Sequence, residues 1–307
     1  MNINLDKIDL KILQSLKADS RQSYSKLARK LRLVRETLFY RIKQLEKQGI
    51  IQKYVPIVPI SRFGLQVYSV LIRVSDKIQK EKLRNVLQKS EQIVWMSQVG
   101  GSYDYLIAIQ AKDVSSFLLT YRKLTQDIEI TGESYAQRAN IFLGQENLLQ
   151  QNEIANLDSV SKRILKNLVN DASMKITDIA KKEKIPVSSA LLKLRSLEKS
   201  GIIQGYTILI DETKLEKHVY QIFLQLSRTN TTTAAALKTY CEQAQVSFFV
   251  ETIGAWNFEI TLETKEDITE FLNELKSVCG ASLTQCMILP SNQYYAKYDA
   301  ITKSLLH

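Results

Sequence analysis

A chain of 307 residues, 45% hydrophobic and 24% charged, has the apolar content for roughly two to four ordinary cores. No apolar run approaches the roughly 18 residues needed to cross a bilayer. The opening MNINLDKIDLKILQ sets Asp6 and Asp9 inside a helical pattern where a signal peptide would be uninterruptedly apolar, so a soluble, cytoplasmic protein without a membrane partner is expected. The net charge of +10 is one-sided: residues through Gln150 carry 24 Lys plus Arg against 14 Asp plus Glu, and the remainder 18 against 18.

In chain order, Ile8, Ile12, Leu13 and Leu16 share one helical face that ends near Ala18-Asp19-Ser20. Leu27, Ala28 and Leu31 mark a short second helix, and Leu38, Ile42 and Leu45 a third that Gly49 stops. Three short helices with a tight break before the last are a helix-turn-helix. The β-prone residues Ile50 to Val58, punctuated by Pro56 and Pro59, read as a wing or a connecting strand.

With Leu38, Ile42 and Leu45 inward, Glu36, Tyr40, Lys43 and Lys47 point outward, flanked by Arg35, Thr37, Arg41 and Gln44. The segment through Val55 has 13 basic and 5 acidic residues, a net +8. Charge alone fits a solvated lysine-rich face as well as a polyanion site. The helix order turns the reading toward double-stranded DNA. Arg35, Thr37, Tyr40 and Arg41 lie in the turns that reach base edges, whereas Lys43, Lys47, Lys26, Arg29, Lys30 and Arg32 suit phosphates. Glu36 either accepts from cytosine N4 or complements the helix dipole.

Further on, the pattern gives strand Val67–Val74, helix Lys80–Lys89, strands Ile93–Val99 and Tyr103–Ile109, helix Asp113–Leu124 and a strand from Ile128. This βαββαβ order predicts a ferredoxin-like sandwich. A polar, partly helical connection is expected over 144–156.

Then the chain repeats. Leu5 to Tyr54 aligns without a gap on Leu157 to Tyr206 at an offset of 152, most densely as LEKQGIIQKY on LEKSGIIQGY. The inward positions survive as Ala190, Leu194 and Leu197. The outward ones change: Arg35 becomes Val187, Glu36 becomes Ser188 and Tyr40 becomes Leu192, leaving Lys193 and Arg195 as the cations of those turns. An exposed Leu192 suits either thymine methyls or burial against protein. Strands Val219–Leu226, Ser247–Ile253, Asn257–Glu263 and Gln285–Leu289, with helices Ala234–Cys241 and Asp267–Val278, repeat the sandwich. The predicted class is α+β, with winged helix-turn-helices at 1–60 and 157–212 and ferredoxin-like domains at 61–143 and 213–307.

An enzyme is the competing class. The chain has two histidines, His218 and His307, and neither a His/Cys/Asp/Glu cluster at metal-ligand spacing nor a G-x-S-x-G, P-loop or dinucleotide fingerprint. Cys241, Cys279 and Cys286 are odd in number and widely spaced, so they read as ordinary thiols in or near a core. No catalytic residue, metal or cofactor is assigned. A third class, an architectural chromatin protein, differs from a regulator in its specificity ratio at fixed salt.

LDKIDLKIL at the start, LEKQGII closing the third helix, and a βαββαβ domain containing VGGSYDYLI together resemble the Lrp/AsnC family of feast/famine regulators, here with the whole unit twice. The resemblance implies dimerisation through ferredoxin-like domains, a pseudo-dimer within one chain, a homodimer of tandem chains and an amino-acid effector. Its Gly-aromatic-Asp effector pattern falls on Gly101, Tyr103 and Asp104, with Gly254, Trp256 and Asn257 in the second copy. Asp104 would hold a ligand's ammonium, so the site would be asymmetric. The glycines equally suit tight turns, with Tyr103 and Trp256 packing at an interface. The family's small polar residue opening the recognition helix is replaced by Val34 and Pro186, so an N-cap from elsewhere is expected. The sirohaem decarboxylases are similar paired modules and supply the enzymatic alternative.

Overall fold

The computed structural model describes residues 5–144, 155–211, 214–215 and 217–296. The expected linker helix falls almost wholly outside them. The four expected domains form two compact units, each built from both halves of the chain: residues 5–59 with 155–215, and 60–144 with 217–296.

In the helical unit, α1 (Lys7–Ala18), α2 (Tyr24–Leu31) and α3 (Arg35–Lys47) are followed by β1 (Ile51–Ile57). The second copy gives α6 (Ser159–Asn170), α7 (Ile176–Glu183), α8 (Val187–Lys199) and β6 (Gly205–Ile210). Asp6 starts α1 by accepting from the Ile8 and Asp9 amides at 2.8 Å. Neither α3 nor α8 has such a cap, because Val34 and Pro186 at their N-caps offer no side-chain bond.

The strand after each helix-turn-helix does not fold back as a wing of its own copy. β1 and β6 pair antiparallel, with Val55 opposite Thr207. These two positions are equivalent at the offset of 152, so a pseudo-twofold axis passes between them. The Ser20 amide accordingly donates to the Tyr206 carbonyl and the Ala172 amide to the Tyr54 carbonyl, both at 2.9 Å. Ile208, Ile210 and Leu215 of the second copy complete the core of Ile12, Leu16, Leu27, Leu38 and Ile42 in the first.

The β-rich unit contains β2 (Gln66–Val74), α4 (Lys77–Lys89), β3 (Ile93–Val99), β4 (Tyr105–Ala111), α5 (Val114–Thr125) and β5 (Ile130–Leu143). It is completed by β7 (His218–Leu226), α9 (Thr231–Gln243), β8 (Phe248–Gly254), β9 (Phe258–Thr264), α10 (Thr269–Cys279) and β10 (Leu283–Ala296). Each copy makes the expected four-stranded sheet, and the two sheets close edge to edge into a barrel, β10-β3-β4-β2-β5-β8-β9-β7. The seams are β5 on β8 and β10 on β3, which is why β10 continues well past the expected Leu289. Alternation then serves two cores per sheet. Tyr68, Val70 and Ile72 pack under Leu83, Leu87, Phe117 and Tyr121 of the helices. On the inner face, Leu71, Val99, Leu106 and Ala136 meet Phe223, Trp256 and Leu289.

Gly254 is fixed by one seam. Its φ is +147°, and a Cβ there would lie 2.4 Å from the Tyr135 carbonyl oxygen and 2.8 Å from the Ala136 Cα. Gly254→Ala is expected to lower stability by about 2–3 kcal/mol, through backbone overlap and strain. Gly280→Ala, at φ +56° and ψ −146° with nothing within 4 Å, should cost about 1–3 kcal/mol from backbone strain alone. Denaturant titration followed by tryptophan fluorescence measures both; a loss at Gly254 below about 1 kcal/mol would mean that the seam gives way freely.

Cys241 and Cys279 are buried under the second sheet and Cys286 is half-buried. Burial, reinforced by the neighbouring thiol, pushes Cys241 up to about 12 and Cys279 up to about 11. At pH 8 an alkylating reagent should therefore modify Cys286 first and the other two only as the fold opens; equal labelling rates by mass spectrometry would contradict this.

Candidate nucleic-acid interface

α3 buries Leu38, Ile42 and Leu45 and turns Arg35, Glu36, Tyr40, Lys43 and Lys47 outward. Thr37 and Gln44 are half-buried at the edges of that face, and Lys26, Arg29 and Lys30 are exposed on α2. Tyr40 is 63% exposed, beside Phe39 and Val34, so the outward surface mixes cations with apolar groups. Lys43 is also held locally: its Nζ donates to Glu46 at 2.6 Å and lies 5.7 Å from the centre of the Phe39 ring.

Arg41 is engaged within the protein. Its Nη1 donates to Asp6 and Asp9 at 2.8 Å each, tying α3 to the start of α1. The carboxylates raise its already high pKa. Both bonds run from Nη1, so the two carboxylates occupy that end of the guanidinium, which the sequence pattern assigns to base edges. In the second copy the equivalent Lys193 donates to Asp158 at 2.7 Å, so it too ties the third helix to the first. Among the cations expected on α8, Arg195 is exposed, and Leu192 stands out at 69% exposure.

The Lys193 ammonium and the Ser161 amide draw Asp158 down to about 2. Its stabilising effect is present above its unfolded value near ~4 and is lost as pH falls toward ~2. Asp158→Asn is expected to make acid unfolding in that window shallower, by up to about one proton, when followed by far-ultraviolet circular dichroism. An unchanged acid slope would exclude the ion pair as a contributor.

The effector pattern also has a structural occupant. Asp104 accepts from the Val74 amide at 3.0 Å and from Lys80 Nζ at 2.9 Å. Asn257 accepts from the equivalent Leu226 amide at 2.7 Å. The Asp104 charge is matched by Lys80, and both copies use this position to pin a strand end. Gly101 has φ +91°, and Tyr103 packs against the inner core with its hydroxyl 2.9 Å from Ser134 Oγ. Trp256 is buried edge-on to Phe223 at 4.8 Å.

Sequence reasoning missed a buried network inside the barrel. Arg138 donates through Nη2 to Glu259 at 2.8 Å and through Nε to Ser69 Oγ at 3.0 Å, while Ser69 donates to the other Glu259 oxygen at 2.7 Å. Side-chain exposures of 7% for Arg138 and 1% for Glu259 make this a desolvated pair. Alternation would have put both on an ordinary solvated face.

A winged helix-turn-helix DNA-binding family matches residues 5–52 and again 157–204. The transcriptional regulator LrpC of Bacillus subtilis is 31% identical over 114 residues, spanning 37% of this chain and 79% of the relative.

The chain belongs to the Lrp/AsnC family.

Another regulator of this kind, AzlB of Bacillus subtilis, is 31% identical over 120 residues, 38% of this chain and 76% of the relative. Among solved structures, the siroheme decarboxylase NirDL matches at full length, with a TM-score of 0.65, 14% identity and 98% of both chains covered. The superposition, at so low an identity, shows a common fold alone. Within this Lrp/AsnC chain, no helix of the described residues is long and apolar enough to cross a membrane.

Proposed function

We propose that this chain is a DNA-binding transcription regulator of Lrp/AsnC type that reads duplex DNA mainly through its first helix-turn-helix. The observation that carries the reading is α3, whose buried Leu38, Ile42 and Leu45 turn Arg35, Tyr40, Lys43 and Lys47 outward in a segment of net +8. With Arg41 engaged by Asp6 and Asp9, base contacts fall to Arg35, Thr37, Tyr40 and Gln44. Arg35 suits guanine O6 and N7, and the rings of Phe39 and Tyr40 suit thymine methyls. The second module, with Leu192 and Val187 outward, contributes less to sequence choice. An amino-acid effector at the Gly101–Asp104 turn would act by competing with Lys80 for Asp104. Two tandem chains, pairing as a homodimer, would imitate a family tetramer.

The full-length likeness to NirDL favours a second reading, decarboxylation of a tetrapyrrole such as siroheme, with the helical modules as scaffold. Selection from a random duplex pool, run alongside Arg35→Ala/Tyr40→Ala, tests the first reading. Incubation of the intact chain with siroheme, with mass analysis for carboxyl loss, tests the second. A recovered motif that disappears in the variant supports the regulator. Uniform recovery by both proteins means architectural binding, and no recovery together with carboxyl loss replaces the regulator by the enzyme.

A further inference from the structure

The two seams of the barrel are not equivalent in chemistry. Arg138 faces Thr252 across one, and Ser291 faces Val99 across the other, so Ser291 is the counterpart of Arg138. By the same registers Leu106 stands where Glu259 stands, and Gln221 where Ser69 stands. One seam therefore encloses an arginine, a serine and a glutamate. The other offers a serine, a glutamine and a leucine.

We propose that the two ferredoxin-like faces are matched to each other and not to themselves: a buried charge pair, with the base from copy one and the acid from copy two, selects the mixed barrel. Copy one closed on a second copy one would set Arg138 against Leu106 at both seams. Copy two closed on copy two would set Glu259 against Ser291 at both. Either arrangement buries two charges without a counter-charge, whereas the mixed barrel buries none. The partner this face fits is the other half of the same design.

The helical unit shows an arginine used in the same one-sided way. Arg21 of copy one donates to the Ala172 carbonyl at 2.7 Å and the Met174 carbonyl at 2.8 Å, and lies 4.3 Å from the centre of the Tyr206 ring. Its counterpart is Ser173. Backbone carbonyls are available in any pairing, so Arg21 disfavours only copy two with itself. The Glu259 carboxylate is what disfavours copy one with itself.

Two full-length chains test this. One carries Arg138→Glu and keeps Glu259; the other carries Glu259→Arg and keeps Arg138. Each alone sets like charges at its seam, but exchanged halves restore an acid–base pair at every such seam. Ile141 and Val250 face each other across the seam. Adding Val250→Cys to the first chain and Ile141→Cys to the second makes an interchain disulfide that reports exchange whatever other contacts the chains make. Chains with unchanged charges and the same cysteines set the baseline, because the tether favours intrachain closure by an effective concentration on the order of millimolar.

After joint refolding at micromolar concentration, the charge variants should cross-link at least about tenfold above that baseline. A single chain with both Arg138→Glu and Glu259→Arg should keep the wild-type mass and melting temperature. The proposal is overturned if both single variants keep wild-type mass and melting temperature. It is also overturned if the mixture cross-links at baseline and the doubly changed chain is no better than either single variant.

Discussion

Glu259→Leu is expected to lower stability by about 3–5 kcal/mol, and Arg138→Leu by a similar amount, because each strands its partner's charge inside the barrel. Glu259 accepts from Arg138 at 2.8 Å and from Ser69 at 2.7 Å. Without that carboxylate Arg138 keeps Ser69 and the Phe248 ring, 4.8 Å from its guanidinium carbon. The double change to leucine should recover most of the loss, since an apolar pair of similar volume avoids the desolvation of two ions. Ser69 is then orphaned, and adding Ser69→Ala should return about 1 kcal/mol more. Urea titration through tryptophan fluorescence measures all four. A double variant as unstable as the singles would show that shape, not charge, makes these residues necessary.

Removing three exposed cations, Lys26, Lys30 and Lys47, as alanines is expected to weaken binding to every duplex by roughly 10²-fold at moderate salt. The slope of log affinity against log salt should become shallower by about 2.7. Arg35→Ala/Tyr40→Ala should instead leave most of the slope and cost about 1–3 kcal/mol at the preferred site only. Titrations of a selected and a scrambled duplex across salt concentrations separate the two. Equal losses on both sequences for Arg35→Ala/Tyr40→Ala would remove base reading from α3. Arg41→Ala belongs with neither set, since its bonds to Asp6 and Asp9 make it part of the helical core's bracing.

The helices of the first module were legible because apolar spacing reports burial directly: Ile12, Leu16, Leu38, Ile42 and Leu45 all lie inside. The outward face of α3 followed from the same periodicity. What that periodicity does not report is whether an outward-leaning cation has a partner 35 residues away, as Arg41 has in Asp6. Asp104 shows the same limit: the motif shows a carboxylate, and only the packing of α4 brings Lys80 to it. Arg138 and Glu259 gave no signal, since a charged residue at alternate positions of a strand is what a one-sided sheet normally has.

The amino-acid sequence by itself determined the duplication, the helix-turn-helix and βαββαβ order of each copy, and the basic bias of the first. These follow from apolar period, turn residues and composition, which are properties of neighbours along the chain. Only the tertiary structure decided that β1 pairs with β6 and that β5 and β10 carry each sheet across to the other. Strand edges are joined by backbone N–H and C=O groups that are the same for almost every residue, so the side-chain pattern does not name the partner. Closing the barrel is what turned the polar faces of two sheets inward and made Arg138 and Glu259 a buried pair.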